Sequence, residues 1–287
     1  MNRLIVGCGY LGRRVADLWH RAGDAVHVVT RTQAHASEFA TTGWHPQVAD
    51  VLEPKSLVDL PEADTLLFAV GYDRSCSASI HEVYVEGLRN VLAAISASAE
   101  RVLYISSTGV YAEADGDWVD ETSAVVGNRE GTRACLAAEQ LLQSHARGKE
   151  ATILRLAGIY GPGRLPRAGD LLAHRPIPAP AGGYLNLIHV EDAARSVVAA
   201  AERGSGGIYS VADGMPILRR DYLEELARLL GAPRPQFEPP AEPPSGRRAS
   251  NKRVRNDRLI NELGLDLRYP SYREGLAAIV QEMNGNE

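Results

Sequence analysis

The sequence predicts an α/β protein in which a doubly wound parallel sheet is followed by a second, smaller mixed α/β C-terminal domain. Three observations carry this prediction. Short apolar runs alternate with longer amphipathic stretches over the first 160 residues, and a glycine-rich turn joins the first run to the first helix. After Gly161 this alternation stops and the sequence becomes rich in Pro, Gly and Arg. With 287 residues, 45% of them hydrophobic, the chain is long enough for two domains and a sizeable core.

The strands are marked by near-continuous runs of Val, Ile, Leu and Ala, which are typical of strands covered on both faces. These runs predict strands over Arg3–Gly7, Ala25–Thr30, Asp64–Val70, Arg101–Ser106 and Ala151–Leu156, with a weaker one near Pro46–Ala49. Apolar residues at helical spacing between them predict helices over Tyr10–Ala22, Ser79–Ser98 and Thr132–Arg147. Strand–helix alternation with crossovers of this length favours a parallel sheet.

The second half is less regular. Residues 161–183 are rich in Pro, Gly and Arg and predict a loop, and Pro233–Pro244, with six prolines, can be neither regular helix nor central strand. The remaining predicted elements are helices over Val190–Arg203, Arg219–Leu230 and Tyr272–Met283 and a strand over Gly207–Val211. We therefore expect one domain over residues 1–165, with helix 190–203 packed on it, and a discontinuous substrate-binding domain over residues 166–287.

Composition excludes several classes of function. There are 31 Lys and Arg residues against 36 Asp and Glu, a net charge of −5, so a nucleic-acid-binding surface is not expected. No apolar run reaches the roughly 18–20 residues of a membrane span, and the chain enters its first strand without a leader-like segment. Cys8, Cys76 and Cys135 lack paired spacing, which predicts reduced thiols, a cytoplasmic location and no metal site.

The clearest local motif is the turn from Gly7 to Gly12, which reads Gly-Cys-Gly-Tyr-Leu-Gly and lies between a strand and a helix. In this context Gly7 permits the tight turn, Gly9 lets the backbone approach a pyrophosphate and Gly12 lets the helix pack on the strand. The helix N-terminus presents free N–H groups to the phosphates. We therefore expect Gly7, Gly9, Tyr10, Leu11 and Gly12 to bind a dinucleotide.

The choice of cofactor is predicted at the end of the second strand, where an acid would bind the ribose hydroxyls of NAD. The sequence has Thr30, Arg31 and Thr32 there and no acid. The Arg31 fork suits a 2′-phosphate, so NADP is favoured; a solvated loop arginine and NAD are the alternatives. Asp50, after the third strand, is a candidate acceptor for the adenine amino group, with a surface turn acid as the alternative.

Residues 104–111, which read YISSTGVY, resemble the fifth-strand signature of extended short-chain dehydrogenases/reductases, the NAD-dependent epimerase/dehydratase branch. Four more stretches resemble motifs of this family in the same order: VEGLRNVL at 85–92, RLAGIYGPGR at 155–164, IHVEDAA at 188–194 and YSVADG at 209–214. The resemblance implies a Rossmann domain that binds NAD(P) and a small domain that closes over the substrate. It also implies that Gly161 and Pro162 border the nicotinamide.

The sequence departs from the family at the proton-transfer residues. The Tyr and Lys of the Tyr-x-x-x-Lys pair fall on Gly131 and Cys135, and the helical Asn falls on Tyr84. None of the three lysines follows a tyrosine by four residues, so a shifted alignment does not restore the pair. Only Ser107 survives, and the chain therefore most resembles atypical members that keep the cofactor fold.

Ser107 is accordingly expected to bind a substrate oxygen, with Thr108 as its neighbouring candidate. Tyr111 and Tyr84 are candidate replacement acids, although the tyrosine at position 111 is mostly a packing residue in the family. Cys135 is a candidate nucleophile, with a small core residue as the favoured alternative.

Three further features have competing interpretations. Arg133 is a candidate substitute for the lost positive charge or a solvated helix arginine. His189 is interpreted as structural, or as part of a capping region that uses Asp192, rather than as a base. The basic run at Arg247, Arg248, Lys252, Arg253, Arg255 and Arg258 either binds an anionic substrate or is solvated surface.

Together these features predict an NADP-preferring protein that transfers hydride on a small polar substrate, sugar- or nucleotide-like, through a non-standard site. A homodimer is an additional expectation. The competing hypothesis is a non-catalytic NAD(P)-binding sensor or scaffold, which the loss of the Tyr–Lys pair favours.

Overall fold

The computed structural model describes residues 1–96, 99–148, 150–238 and 251–285. The strands are β1 Asn2–Val6, β2 Ala25–Thr30, β3 His45–Val48, β4 Thr65–Phe68, β5 Arg101–Ser107, β6 Trp118–Val119, β7 Thr152–Leu156, β8 Gly158–Tyr160, β9 Tyr184–Leu185, β10 Leu187–His189, β11 Gly207–Val211, β12 Ile217–Leu218 and β13 Arg253–Val254. The α-helices are α1 Gly12–Arg21, α2 Gln33–Ala40, α3 Gly87–Ala94, α4 Glu130–Ser144, α5 Ala168–Leu172, α6 Val190–Arg203, α7 Arg219–Leu229, α8 Asp257–Leu263 and α9 Tyr272–Gly285.

Seven strands form one parallel sheet in the order β3-β2-β1-β4-β5-β7-β11. The direction of winding reverses between β1 and β4, which creates a crevice at the carboxyl ends of these strands. Three two-stranded sheets, β8–β10, β9–β12 and β6–β13, lie outside it. The predicted α/β class, a doubly wound Rossmann sheet with a smaller mixed region, is confirmed.

The sheet is covered on both faces, as its apolar strands predicted. One face packs against α1 and α6 through Val15, Trp19 and Val197, and the other packs against α3 and α4 through Leu88 and Leu142. A third hydrophobic cluster joins α5, α7 and α9. Helix α6 therefore packs on the sheet as expected, while the division of the chain at residue 165 stays a prediction.

Two predicted segments are corrected by the structure. The single helix over Ser79–Ser98 is wrong, because a π-helical turn at Glu82–Glu86 precedes the shorter α3, and residues 97–98 lie outside the described part. The 161–183 loop contains the helix α5, which Leu171 anchors by burying its side chain. Within Pro233–Pro244, residues 239–244 lie outside the described part, and Phe237 forms only an isolated bridge with Ile177.

A buried ion pair connects α4 to the sheet. The Nη2 and Nε atoms of Arg155 on β7 donate to Glu139 on α4 at 2.7 and 3.1 Å, and the two side chains are only 4% and 3% exposed. Ser106 on β5 donates to Glu139 Oε1 at 2.5 Å. The Arg155 guanidinium also lies over the Tyr111 ring, 5.0 Å from its centroid. One charged pair therefore fixes α4, β5, β7 and the turn after β5 relative to one another.

Glu139→Gln should destabilise the fold by about 3–5 kcal/mol, because it leaves the Arg155 charge buried without its counter-ion. Urea unfolding measures the free energy. Asp17→Asn, which removes the partner of Arg21 in a solvent-exposed ion pair, is the matched control and should cost about 0.5 kcal/mol or less. Equal losses in the two variants would contradict the role assigned to Glu139.

Candidate active site

Of the three glycines in the turn before α1, two have no room for a side chain and one has open space around it. Gly7 has φ +97°, and a Cβ there would lie 2.5 Å from the carbonyl carbon of Ala69 and the nitrogen of Val70. A Cβ on Gly12 would lie 2.6 Å from the Gly7 oxygen, whereas nothing lies within 4 Å of a Cβ built on Gly9. The turn thus leaves open space at Gly9 beside the N-terminus of α1, which carries no acidic residue in its first turn.

The same turn contacts the loop after β8. The Tyr10 hydroxyl donates to the Pro162 carbonyl oxygen at 3.0 Å. A Cβ on Gly161 would lie 2.6 Å from the Tyr10 hydroxyl and 2.5 Å from Val190 Cγ1. Leu11 is buried beneath the turn. The structure therefore brings the glycine turn, through Tyr10, into contact with Gly161 and Pro162. The role of these residues in cofactor binding stays a prediction.

At the end of β2, the Thr32 hydroxyl accepts a hydrogen bond from His35 N and caps α2, and Thr30 ends the strand. Arg31 is half-exposed, and its Nη2 donates to Asp73 Oδ2 at 3.3 Å. Because exposed pairs of this kind contribute little, the Arg31 fork is available to a competing anion.

Asp50 lies after β3 at the same edge of the sheet. Its Oδ1 atom accepts a hydrogen bond from Leu52 N at 2.9 Å, so the carboxylate stabilises its own turn. This contact supports the surface-turn interpretation without testing whether the second oxygen binds adenine.

Ser107 and Thr108 lie where β5 enters a short 3-10 turn, Thr108–Val110. Ser107 Oγ accepts from Gly109 N at 3.1 Å, and the buried Thr108 hydroxyl donates to Leu156 O at 3.4 Å. A Cβ on Gly109 would lie 3.0 Å from Arg129 Nη2 and 3.2 Å from Ser107 Oγ. Arg129 Nη2 donates to Gly109 O at 3.5 Å, a contact with this turn that no sequence motif predicted.

Helix α4 carries the positions of the missing Tyr–Lys pair. A Cβ on Gly131 would lie 3.4 Å from Ile80 Cδ1, so Ile80 packs at the base of the absent side chain. Cys135 is buried. The Tyr104 hydroxyl has a pKa well above its usual range, because it is itself buried and because Cys135 and Glu139 lie nearby. The placement of Cys135 supports its interpretation as a core residue.

Of the two candidate acids, Tyr111 is only 2% exposed, and its hydroxyl lies 2.6 Å from Ser210 Oγ. Burial raises its pKa, since the phenolate would be desolvated. This position favours the packing role over proton transfer. Tyr84 lies in the π-helical turn and packs at the edge of the hydrophobic cluster under α3. Its catalytic role stays a prediction.

Lys252 belongs to the predicted basic run, but the structure places it in the interior of the protein. It is 3% exposed, and its Nζ donates to Tyr111 O at 3.1 Å. Burial, followed by the charge of Arg129, lowers its pKa to about 8. The solvated-surface interpretation is wrong for Lys252, which is buried, whereas Arg253 and Arg255 lie over the Trp118 ring. Arg247 and Arg248 lie outside the described residues.

Arg133 is exposed and donates to Gly127 O at 3.4 Å.

The motif at the start of α6 is structural. His189 is buried, and its Nδ1 accepts from Glu191 N at 3.3 Å, which caps the helix. The expected cap by Asp192 is wrong, because its two oxygens accept from Arg268 N and Tyr269 N at 2.8 Å. Burial, helped by nearby arginines, lowers the pKa of His189 to about 4, so the imidazole is neutral near pH 7.

Asp213, after β11, is an acid in an apolar setting. It is 6% exposed, its Oδ1 accepts from Met215 N at 2.9 Å, and its Oδ2 has no hydrogen-bond partner among the described residues. Burial raises its pKa to about 7. The folded state therefore binds a proton that the unfolded chain releases well below neutrality.

A parallel Rossmann sheet with an open glycine turn at its switch point defines a dinucleotide-binding protein. The sequence model of the NAD dependent epimerase/dehydratase family matches residues 4–212, and the chain belongs to this family. The family resemblance stated from the motifs is thereby confirmed. No helix in the described part of the chain is long and apolar enough to cross a bilayer.

Individual proteins show the same relationship. The chain is 30% identical to Protein YeeZ of Escherichia coli (strain K12), over 93% of this chain and 95% of that protein. It is 29% identical to the 3-diazoavenalumate denitrifying reductase of a Streptomyces species, over 67% and 69% of the two chains. UDP-glucose 4-epimerase of Thermotoga maritima shares the fold with a TM-score of 0.82 at 17% identity, over 100% and 99% of the two chains.

Asp213→Asn should stabilise the fold at high pH and have little effect at low pH. The pKa of this carboxyl is about 4 in the unfolded chain and about 7 in the folded protein. Between these pH values the unfolded state binds fewer protons than the folded state, so the stability of the wild type falls as pH rises. The gain at pH 8 relative to pH 4.5 should be about 2–4 kcal/mol. Urea unfolding at both pH values measures it, with the exposed Asp59→Asn as control. A gain independent of pH would contradict the burial argument.

Proposed function

We propose that this protein is an NADP-preferring oxidoreductase that transfers hydride on a small polar substrate without a Tyr–Lys acid. The observation that carries the proposal is the turn that opens only at Gly9 beside the positive end of α1. Arg31 at the tip of β2 supports the choice of NADP, because its fork matches a 2′-phosphate. NAD is the alternative cofactor. Sugar- or nucleotide-like compounds are the substrate class that the family suggests.

The active site limits the reaction. Hydride transfer to a ketone leaves an alkoxide, and a positioned acid contributes about 10²–10⁴ in rate to such a step. Gly131 and Cys135 supply none, while Ser107 can still bind a substrate oxygen. A relative is named a denitrifying reductase of a diazo compound. When hydride from NADPH attacks the carbon of a diazonium ion, a C–H bond forms, the C–N bond breaks and dinitrogen leaves. No alkoxide is formed and no proton is required, so a substrate of this kind fits the site.

The second candidate is a non-catalytic NADP sensor or scaffold. It is favoured by the absence of the Tyr–Lys pair, since Gly131 and Cys135 stand at the positions where the family resemblance places that pair. Oxidation of NADPH with carbonyl, diazo and sugar-nucleotide compounds distinguishes the two. Turnover with any of them supports the enzyme, whereas micromolar NADPH binding without turnover supports the sensor. A cytoplasmic location and a homodimer are part of the proposal on sequence grounds.

Gly9→Ala and Gly7→Ala should separate binding from folding. Gly9→Ala has room for its Cβ, so it should unfold like the wild type yet lose at least tenfold in NADPH affinity, because the methyl group enters the phosphate space. Gly7→Ala should lower the free energy of unfolding by about 1–3 kcal/mol through strain at positive φ. Calorimetric titration with NADPH and urea unfolding test the pair. Unchanged NADPH binding in Gly9→Ala would contradict the proposed phosphate site.

Arg31→Ala should weaken NADPH binding about 10- to 100-fold, because a charge-assisted contact to phosphate contributes about 1.5–3 kcal/mol. NADH binding should change by less than twofold. Arg74→Ala, which removes a nearby exposed loop arginine, is the control. Fluorescence titration with both coenzymes measures the ratio, and an equal loss for NADPH and NADH would remove the argument for NADP.

A further inference from the structure

The chain forms a tight turn directly after β8, and this turn is attached to the glycine turn before α1. Gly161 N donates to Arg164 O at 3.1 Å, and Arg164 N donates to Gly161 O at 2.9 Å. Pro162 and Gly163 occupy the two central positions, with φ +73° at Gly163, as in a type II turn. The Tyr10 hydroxyl donates to Pro162 O at 3.0 Å. The backbone of Arg164 is therefore fixed both within its own turn and by Tyr10.

The Arg164 side chain lies on the aromatic ring of Tyr10, the residue that follows Gly9. Its guanidinium carbon is 5.5 Å from the centroid of that ring. Burial raises the pKa of the Tyr10 hydroxyl, and the charges of Arg14 and Arg164 oppose this effect. Gly9 borders open space, and α1 begins two residues after Tyr10. Arg164 therefore brings a positive charge from a distant part of the sequence to the glycine turn.

The arginines at the glycine turn differ in whether their charge is compensated. Arg13 forms an ion pair with Glu38, and Arg14 forms one with Glu191 at 3.0 Å. The side chain of Arg164 is exposed, and it forms neither an ion pair nor a hydrogen bond within the part of the chain that the structure describes. Its five N–H donors are consequently available to a ligand.

A pyrophosphate is the ligand whose chemistry matches this arrangement. It carries a negative charge on each phosphate, whereas the N-terminus of a helix offers N–H donors and a partial positive charge of about 0.5. An arginine fork binds phosphate oxygens through two parallel N–H donors. We propose that Arg164 binds the pyrophosphate of the dinucleotide beside Gly9 and the N-terminus of α1. The inference rests on the proposed function in taking the glycine turn as the phosphate site, and it adds a side-chain contact from the turn after β8.

Calorimetric titrations of the full chain with NADPH, NADH and adenosine 2′-monophosphate test this contact. Arg164→Ala should weaken the binding of NADPH and NADH by the same factor, about 10- to 100-fold, because both coenzymes contain the pyrophosphate. Adenosine 2′-monophosphate lacks the pyrophosphate and should bind as it does to the wild type. This pattern is the reverse of the one expected for Arg31→Ala. The control is Arg175→Ala, which removes an exposed arginine paired with Asp170 and should leave all three affinities unchanged.

Two further variants separate the charge of Arg164 from its packing on Tyr10. Arg164→Met keeps an aliphatic side chain over the ring and should lose as much coenzyme affinity as Arg164→Ala. Arg164→Lys keeps the charge without the fork and should bind both coenzymes about threefold or more tightly than Arg164→Ala. Unchanged coenzyme affinity in Arg164→Ala or Arg164→Met, or a loss for NADPH alone, would overturn the pyrophosphate contact. A wild-type protein that binds neither coenzyme would contradict the proposed function itself, and this inference with it.

Discussion

The ion pair between Glu139 and Arg155 is the interaction on which the geometry of the cleft depends. Moving two charges out of water is costly, so the pair is stable only where its hydrogen bonds are complete and well directed. Both oxygens of Glu139 are used, by Arg155 and by Ser106. Helix α4 is consequently held at Glu139 against the end of β5.

The same ion pair holds α4, the helix onto which the family resemblance places the proton-transfer residues. Gly131 and Cys135 lie on this helix at the positions where the family resemblance places the Tyr–Lys pair. Arg129, which precedes the helix, and Lys252, from the C-terminal region, both donate to carbonyl oxygens of the turn after β5.

The parts of the structure that could be predicted are those encoded locally. The strands follow from unbroken apolar runs, and the turn at Gly7 follows from a motif whose backbone conformation only glycine tolerates without strain. The contacts of Arg129 and Lys252 with the turn after β5 could not be found this way, because each contact joins segments that are distant in sequence. The burial of Lys252 was hidden by its neighbours, the half-buried Arg253 and the exposed Arg255, which make the segment resemble ordinary surface.

The helix at Ala168–Leu172 and the π-helical turn at Glu82–Glu86 were missed for a related reason. The first depends on Leu171 finding a tertiary partner in a segment of poor local helix propensity, and the second on an extra residue in an otherwise regular helical pattern. The partners of Asp192 at Arg268 and Tyr269 are likewise invisible to periodicity. Motif spacing identifies such residues but does not show what they bind.

The seventh strand of the sheet, β11, comes from the second half of the sequence and completes the edge next to β7. The N-terminal half is therefore not a self-sufficient module. A fragment ending near residue 165 would expose a row of unpaired amide and carbonyl groups along β7, which could template association between copies. Truncation at the apparent boundary between the halves would consequently yield a chain whose exposed β7 edge favours aggregation.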